Sequence, residues 1–247
     1  EARELPQPPR SLALGEDMTA DIGEDMGFSR CGLLYLSNDE RELEGWAAWG
    51  RFARGEGIDT RMLSAAEAAE RGAATGKPWK GGVWSPTDGI ADPSRAAPVI
   101  ARGVIKHGGA VVQNCAARGI ETQAGAVSGV ITERGVIRTR QVVLAGGAWA
   151  SSFLYQSGIV FPQATIRSSI LSVAPGPQGL PPALHTADAS VTRRGDGGYT
   201  LAMSGFGKVD PTPGLFHGAR YFVRMLAKRW RLVSPGGLQA WRAGFET

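Results

Sequence analysis

Apolar residues fall at helical spacing in two well-punctuated stretches. Leu43, Trp46, Ala47, Gly50 and Ala53 form one stripe, behind Asn38 or Asp39 as the capping residue. Ala97, Ile100, Ala101, Val104 and Ile105 form the other. It opens at Asp92-Pro93, a cap followed by proline at the first helical position, and closes at Gly108-Gly109. Ser64-Ala65-Ala66-Glu67 is a capping box that predicts a short helix over Ala65–Arg71. Leu215 to Arg229 reads as a basic amphipathic helix. The stretch Leu5 to Ile22 is a weaker helix: Leu12, Met18 and Ile22 can share a face, but Pro6, Pro8, Pro9 and Gly15 oppose it.

Strand patterns fill most of the remainder. Phe28 to Ser37 and Ile58 to Leu63 read as strands, and Trp79 to Ile90 as loop, strand and loop. Four strand signals follow at Ala110–Asn114, Ala117–Glu121, Val127–Thr132 and Val136–Arg140; turns at Gln123-Ala124-Gly125 and Glu133-Arg134-Gly135 make the last three a meander. Val142-Val143-Leu144-Ala145 reads as a buried strand running into Gly146-Gly147 and a short helix, so residues 110–147 are expected to form one contiguous β unit. Ile166–Val173 is a further strand, and Val191–Arg194 with Tyr199–Ser204 makes a hairpin around Gly195-Asp196-Gly197-Gly198. Within it Tyr199, Leu201 and Met203 take one face, and Thr200, Ala202 and Ser204 the other; the smaller, mixed-polarity set suits a cavity wall.

Composition narrows the class. The 247 residues are 43% hydrophobic and 20% charged, an ordinary globular balance, and no run approaches the roughly 18 apolar residues of a membrane span. The net charge of +4 is local: from Leu215 onward six Lys and Arg residues stand against Glu246 alone. A single basic helix is a solvated face, or one covered by further chain or a partner, before it is a nucleic-acid site. The two cysteines, Cys31 and Cys115, provide neither a disulfide framework nor a metal site; both read as buried and inert, which points to a reducing, cytoplasmic setting. Glu1 to Arg10 lacks the apolar stretch of a signal peptide, and both ends read as cut points in a longer chain.

Standard catalytic signatures are absent. The sequence has no G-x-G-x-x-G and no Walker loop, its three histidines are isolated, and Ser204-Gly205 lacks a nucleophile elbow. Asp88 and Asp92 can be paired for acid–base hydrolysis, although Asp88-Gly89 also reads as a turn and Asp92 as a cap. The order Asp88-Gly89-Ile90-Ala91-Asp92-Pro93, helix, Gly108-Gly109-Ala110-Val111-Val112, meander, then Val142-Val143-Leu144-Ala145-Gly146-Gly147-Ala148-Trp149-Ala150 carries more. A buried strand that ends in Gly-Gly before a helix lets backbone approach a ligand and points amides at negative charge; it also serves tight strand–helix packing.

That order resembles the FAD-dependent amine and amino-acid oxidoreductases, the family of D-amino-acid dehydrogenase, glycine oxidase and sarcosine oxidase, over roughly Phe28 to Thr247 and best from Gly89 to Trp149. The resemblance implies an α/β (α+β) fold: a mixed, largely antiparallel substrate-domain sheet with helices, plus part of a Rossmann-like FAD-binding domain. It divides the chain into residues 1–88 and 161–241 on the substrate side, 89–160 as an inner FAD-domain segment, and 242–247 as the start of a return to that domain. The implied reaction is oxidation of the C–N bond of an amino acid or secondary amine by hydride transfer to FAD, with hydrolysis of the imine. The substrate sheet, built from Phe28–Ser37, Ile166–Val173 and the hairpin, is expected to roof a cavity facing the flavin.

Carried over by position, Ala117 stands near the adenine, in place of the family's usual valine, and Ala145, Gly146 and Trp149 near the dinucleotide. Trp149 can equally anchor a core. Thr87, Ala202 and Ser204 are the substrate-side candidates, with Tyr199 beside them; Arg193 or Arg194 can pair a carboxylate or simply be solvated. The family implies no universal side-chain base, so no catalytic residue is assigned. The partner is a small amine or amino acid, with no nucleic acid and no integral membrane segment. Two rival readings are a non-catalytic ligand-binding module of the same fold and a hydrolase built on Asp88 and Asp92.

Overall fold

Prolines open the first helix rather than break it. In the computed structural model, which describes residues 7–176, 179–205, 207–210, 213–229 and 233–236, α1 runs Gln7–Ile22. Pro8 and Pro9 fall in its first turn, where a missing N–H forfeits no helical hydrogen bond. The single strand expected from Phe28 to Ser37 is two, β1 (Phe28–Arg30) and β2 (Leu33–Ser37). Gly32 makes the break: its φ is +73°, and a Cβ there would lie 2.0 Å from the Trp84 ring. Asp39 caps α2 (Glu40–Gly55) by accepting from the Arg41 N–H, while Asn38 accepts from the Lys80 N–H at 2.8 Å. Next come β3 (Arg61–Leu63) and α3 (Ala65–Arg71), which carries the expected Ser64–Glu67 capping box. Then follow β4 (Gly81–Ser85), β5 (Gly89–Ala91) and α4 (Pro93–Lys106), started by Asp92 and released at Gly108, φ +81°.

The β unit expected over 110–147 is shorter. Only β6 (Ala117–Gln123), β7 (Ala126–Thr132) and β8 (Gly135–Arg138) pair. The stretches 110–114 and 142–145 find no ladder partner among the described residues; Val142 and Leu144 are half-buried, but Val111, Val112 and Val143 are exposed, Val143 at 91%. A buried parallel strand needs neighbours on both edges, and an apolar run cannot supply them itself. After α5 (Ala150–Tyr155) the expected strand Ile166–Val173 divides into β9 (Ile166–Arg167) and β10 (Ile170–Val173), which join different sheets. The chain continues through β11 (Ala183–His185), β12 (Ala189–Arg193), β13 (Tyr199–Met203), β14 (Gly207–Val209), α6 (Pro213–Arg229) and β15 (Val233–Pro235). The expected return at 242–247 lies outside the described residues.

Two compact units result: Glu1–Val111 with Ser169–Gly205, and Val112–Ser168 with Phe206–Thr247. The first holds a seven-stranded sheet in the order β10-β13-β12-β11-β2-β4-β3, antiparallel except at the β11–β2 pair. One face of this sheet is its core. Leu34, Leu36, Leu63 and Leu184 pack with Ala68 of α3 and with Trp79. A separate ladder joins β1 to β5, and α1 packs on α4. The second unit contains the β6–β7–β8 meander, a small β15-β14-β9 sheet, and α5 packed on α6. The fold is therefore a mixture of helices and largely antiparallel sheet. Cys31 and Cys115 are half-buried rather than fully buried; burial still pushes the Cys31 thiol up, keeping it protonated.

Candidate functional site

Strand alternation gives the seven-stranded sheet a second face unlike its leucine core. Register places Ile170, Ala202, Ser190, His185 and Tyr35 in one row across five strands. The row is chemically connected. His185 Nδ1 lies 2.8 Å from Ser190 Oγ, and the His185 ring sits 5.1 Å from the Tyr35 ring. Tyr35 in turn meets Trp46 of α2 edge-on at 5.8 Å, so α2 covers this end of the face while Ser190 and Ala202 stay half-buried. Burial, and then the nearby Asp88 charge, push the Tyr35 hydroxyl above its ordinary value. It is therefore neutral and a donor at physiological pH.

Asp88 and Asp92 have opposite environments. Half-burial raises the Asp88 carboxyl, opposed by a hydrogen bond to Ser85. Asp88 is the acid on the wall of a largely apolar cleft of about 630 Å³ that includes Met18, Met26, Phe28, Leu33 and Ile90. The Asp92 carboxylate is held low, chiefly by Ser94, with Gly195 N–H adding to it against desolvation. One oxygen accepts from Ser94 N–H at 3.0 Å and from its hydroxyl at 2.5 Å; the other accepts from Gly195 N–H at 3.2 Å. Both oxygens are thus taken up in capping α4 and fastening the hairpin turn, and no pair of uncommitted carboxylates remains for hydrolysis.

The residues expected from the sequence are distributed unevenly. Ala202 lies in the polar row. Ser204 follows two residues on; its N–H donates to the Asp188 carbonyl at 3.1 Å, and its hydroxyl is buried with no hydrogen-bond partner. Tyr199 turns to the other face, buried, and donates to the Leu180 carbonyl at 3.2 Å. Thr87 stands exposed in the β4–β5 turn, away from this row, and offers its carbonyl to Arg30. Arg194 forks onto Asp196, while Arg193 is exposed.

Ala117, Ala145, Gly146 and Trp149 belong to the second unit. Ala117 pairs with Thr132 in the meander, and no hydrogen bond among the described residues ties it to the 145–149 segment. Residues 141–146 lead without regular structure into a 3-10 turn at Gly147–Trp149, with Gly147 at φ +53°. Trp149 is 60% exposed, which excludes a role as a buried anchor within the unit. No sequence signal marks β11 and hence His185 as part of the face. A three-residue strand behind Pro181-Pro182 carries too little periodicity to register, and its partners Tyr35 and Ser190 come from two other strands. Among the described residues no group of His, Cys, Asp and Glu can hold a metal ion, and no helix is long and apolar enough to cross a membrane.

Comparison with known proteins decides the lineage. The model of the family described as FAD dependent oxidoreductase matches residues 9–240. The chain belongs to this family. Its curated relatives include human mitochondrial sarcosine dehydrogenase, 25% identical over 206 residues, which are 78% of this chain and 22% of that protein. Sarcosine oxidase subunit beta from Arthrobacter sp is 29% identical over 162 residues, 62% of this chain and 39% of the relative. Among solved structures, L-amino acid deaminase from Proteus vulgaris superposes with a TM-score of 0.80 at 25% identity, covering 96% of this chain and 56% of that one. The chain thus spans between about a fifth and somewhat over half of these family members.

Proposed function

We propose that this chain is part of a flavoenzyme that oxidises the C–N bond of an amino acid or secondary amine. The supporting observation is the polar row Ser190–His185–Tyr35 beside the small Ala202, in a chain whose family is FAD dependent. A substrate face needs volume and a few well-placed polar groups, and this row offers both.

The cofactor side of the proposal rests on residues 142–149. Residues 142–146 find no ladder partner among the described residues, and the small side chains at Ala145, Gly146 and Gly147 fit a ligand gripped mainly through main-chain groups. Ala145, Gly146 and Trp149, with Ala117, would hold the cofactor. Bound FAD supplies the two-electron acceptor: the substrate loses hydride from carbon and a proton from nitrogen, the C–N bond becomes C=N, and water hydrolyses the imine.

The chain's own residues bind and orient. The bond from His185 Nδ1 to Ser190 fixes that ring and leaves Nε2 for the substrate amine. Tyr35 packs against the ring and limits its motion. Ala202 leaves room for the substrate body, and Ser204 offers a hydroxyl that the protein itself does not use. In this reading the seven-stranded sheet serves the substrate and residues 112–168 the cofactor. The unpaired cysteines favour a reducing, cytoplasmic setting, and further chain or a partner covers the basic helix α6.

The test is anaerobic mixing of the purified enzyme that contains this chain with sarcosine, glycine, proline and both enantiomers of other amino acids, following the visible flavin band. Loss of the band with one of these amines, and keto-acid or aldehyde release on re-oxidation, is the expected result. A purified protein without flavin, or a flavin that none of them reduces, would leave the ligand-binding module as the correct reading.

A further inference from the structure

The largely apolar cleft of about 630 Å³ lies wholly within the first unit, and none of the polar-row residues lines it. Its walls come from α1, α4 and the β1–β5 ladder. Leu12, Met18, Phe28, Leu33 and Ile90 line it and are each only half-buried. The walls are held in place. Gly89 lets β5 approach β1, since a Cβ there would lie 2.7 Å from the Ser29 carbonyl oxygen and 3.3 Å from the Phe28 ring. On the helical side, α1 and the turn after it are fastened to α4. Arg102 forks onto Glu24 at 2.6 and 2.9 Å, and Lys106 donates to the Asp21 carbonyl at 2.5 Å. A volume of this order with mainly apolar walls is the usual anatomy of a small-molecule site.

One acid interrupts this lining. Asp88 is the only titratable residue among the described residues of the cleft wall. Its carbonyl accepts the Gly32 N–H at 2.8 Å, which fixes the residue at its place in the turn. Its carboxyl has no ion-pair partner among the described residues. Arg30 reaches the neighbouring Thr87 carbonyl, but its guanidinium is already forked onto Glu16. Burial pushes the Asp88 carboxyl up, opposed by a hydrogen bond to Ser85. That is the behaviour of a charge drawn partly out of water with no cation to meet it. Such a carboxylate costs stability, and a cation supplied from outside the chain would recover the cost.

We propose that this cleft binds a small apolar amine in its protonated form, the ammonium on the Asp88 carboxylate and the hydrocarbon body among Met18, Phe28, Leu33 and Ile90. An anion would meet an unpaired carboxylate. A neutral hydrocarbon would bury Asp88 further and leave it without a partner. A single cationic head on an apolar body satisfies both the acid and the walls. Met18 and Met26 are unbranched and adaptable, which suits them to the shape of such a body. The site uses neither the flavin nor the polar row, so its test can fail without affecting the proposed function, and the reverse.

The experiment is calorimetric titration of the purified enzyme that contains this chain, at neutral pH, with 1-adamantylamine, 1-adamantanol and adamantane-1-carboxylate. The three share one apolar cage and differ in the charge of the head group. The amine is protonated at this pH, and its nitrogen-bearing carbon has no hydrogen to give up, so it is a ligand and not a substrate. Saturable binding of the amine at least about tenfold tighter than that of the alcohol, and none of the carboxylate, is expected. Asp88→Asn should weaken the amine about tenfold and leave the alcohol within about twofold. Ala202→Phe, which fills the polar row, should leave the amine's affinity unchanged. The head-group comparison needs only the wild type, so the test stays decisive if Asp88→Asn does not fold. Equal affinity for amine and alcohol, no saturable binding of the amine, or loss of its binding in a folded Ala202→Phe protein would overturn the assignment.

Discussion

The Asp92 carboxylate accepts the Gly195 N–H at 3.2 Å, joining the start of α4 to a hairpin turn 103 positions later in the chain. One side chain thus caps a helix and fixes the end of the sheet. Removing it costs both: Asp92→Ala should destabilise the fold by about 2–3 kcal/mol, roughly 1 for the cap and the rest for the abandoned N–H groups. Asp92→Asn keeps the acceptor for the cap but turns an amide donor toward the Gly195 N–H, and should cost about 1–2 kcal/mol. Urea denaturation of the three proteins measures this.

The same residue sets a pH dependence. Its folded carboxyl is held below the ordinary value, chiefly by Ser94. The stability it adds is therefore complete above the unfolded pKa, about 3.9, and is lost as pH falls through the lower folded value. Chemical denaturation between about pH 6 and pH 3 should show the wild type losing its margin over Asp92→Asn at the acid end; a margin that grew toward low pH would contradict the capping geometry.

Gly32 and Gly57 have similar positive φ values, +73° and +81°, but different surroundings. Gly57 faces open space, so Gly57→Ala should cost only the backbone strain, about 1–2 kcal/mol. At Gly32 the new methyl would also strike the Trp84 ring, and Gly32→Ala should cost about 3 kcal/mol or more. Denaturation midpoints separate the two.

Ser204→Ala removes a buried hydroxyl that the fold leaves without a partner. Stability should be unchanged or rise by up to about 1 kcal/mol. If that hydroxyl serves the substrate, the half-saturating amine concentration rises several-fold in the same variant. Ala202→Phe should weaken amine binding more strongly while flavin content, read from the absorbance ratio, stays constant. Loss of all folded protein would instead mark Ala202 as a packing residue.

The 247-residue chain by itself should bind FAD weakly. It contains no G-x-G-x-x-G turn, and the main-chain contacts proposed for Ala145–Trp149 would replace only part of a pyrophosphate cradle. Titration of FAD into the isolated chain, followed by flavin fluorescence, checks this; stoichiometric tight binding would relocate the cofactor contacts.

Elements with local punctuation were legible in the sequence. Asp39, Ser64 and Asp92 cap the helices expected of them, and Gly195-Asp196-Gly197-Gly198 turns its hairpin. Elements defined by distant partners were not. Val142–Ala145 has the composition of a buried strand, yet pairing is a property of neighbours, and none is present among the described residues. The split at Gly32 depends on a Trp84 ring from another strand. The polar row was half legible: alternation separates Ala202 from Leu201, but His185 becomes a neighbour of Tyr35 only through the β11–β2 register.

That register has a consequence for how the protein is made. The β2–β11 pairing, Leu34 with Leu184 and Tyr35 with His185, is the one seam that closes the seven-stranded sheet. During synthesis β2, β4 and β3 can pair early, being close in sequence, but the outer edge of β2 has no covering strand until the ribosome has passed the whole meander. Throughout that interval Leu34 and Leu36 lie beside an open row of amides and carbonyls, the kind of surface that nascent-chain chaperones protect and that β aggregation exploits. Sheet closure, rather than helix formation, therefore sets the pace at which this chain becomes safe from self-association.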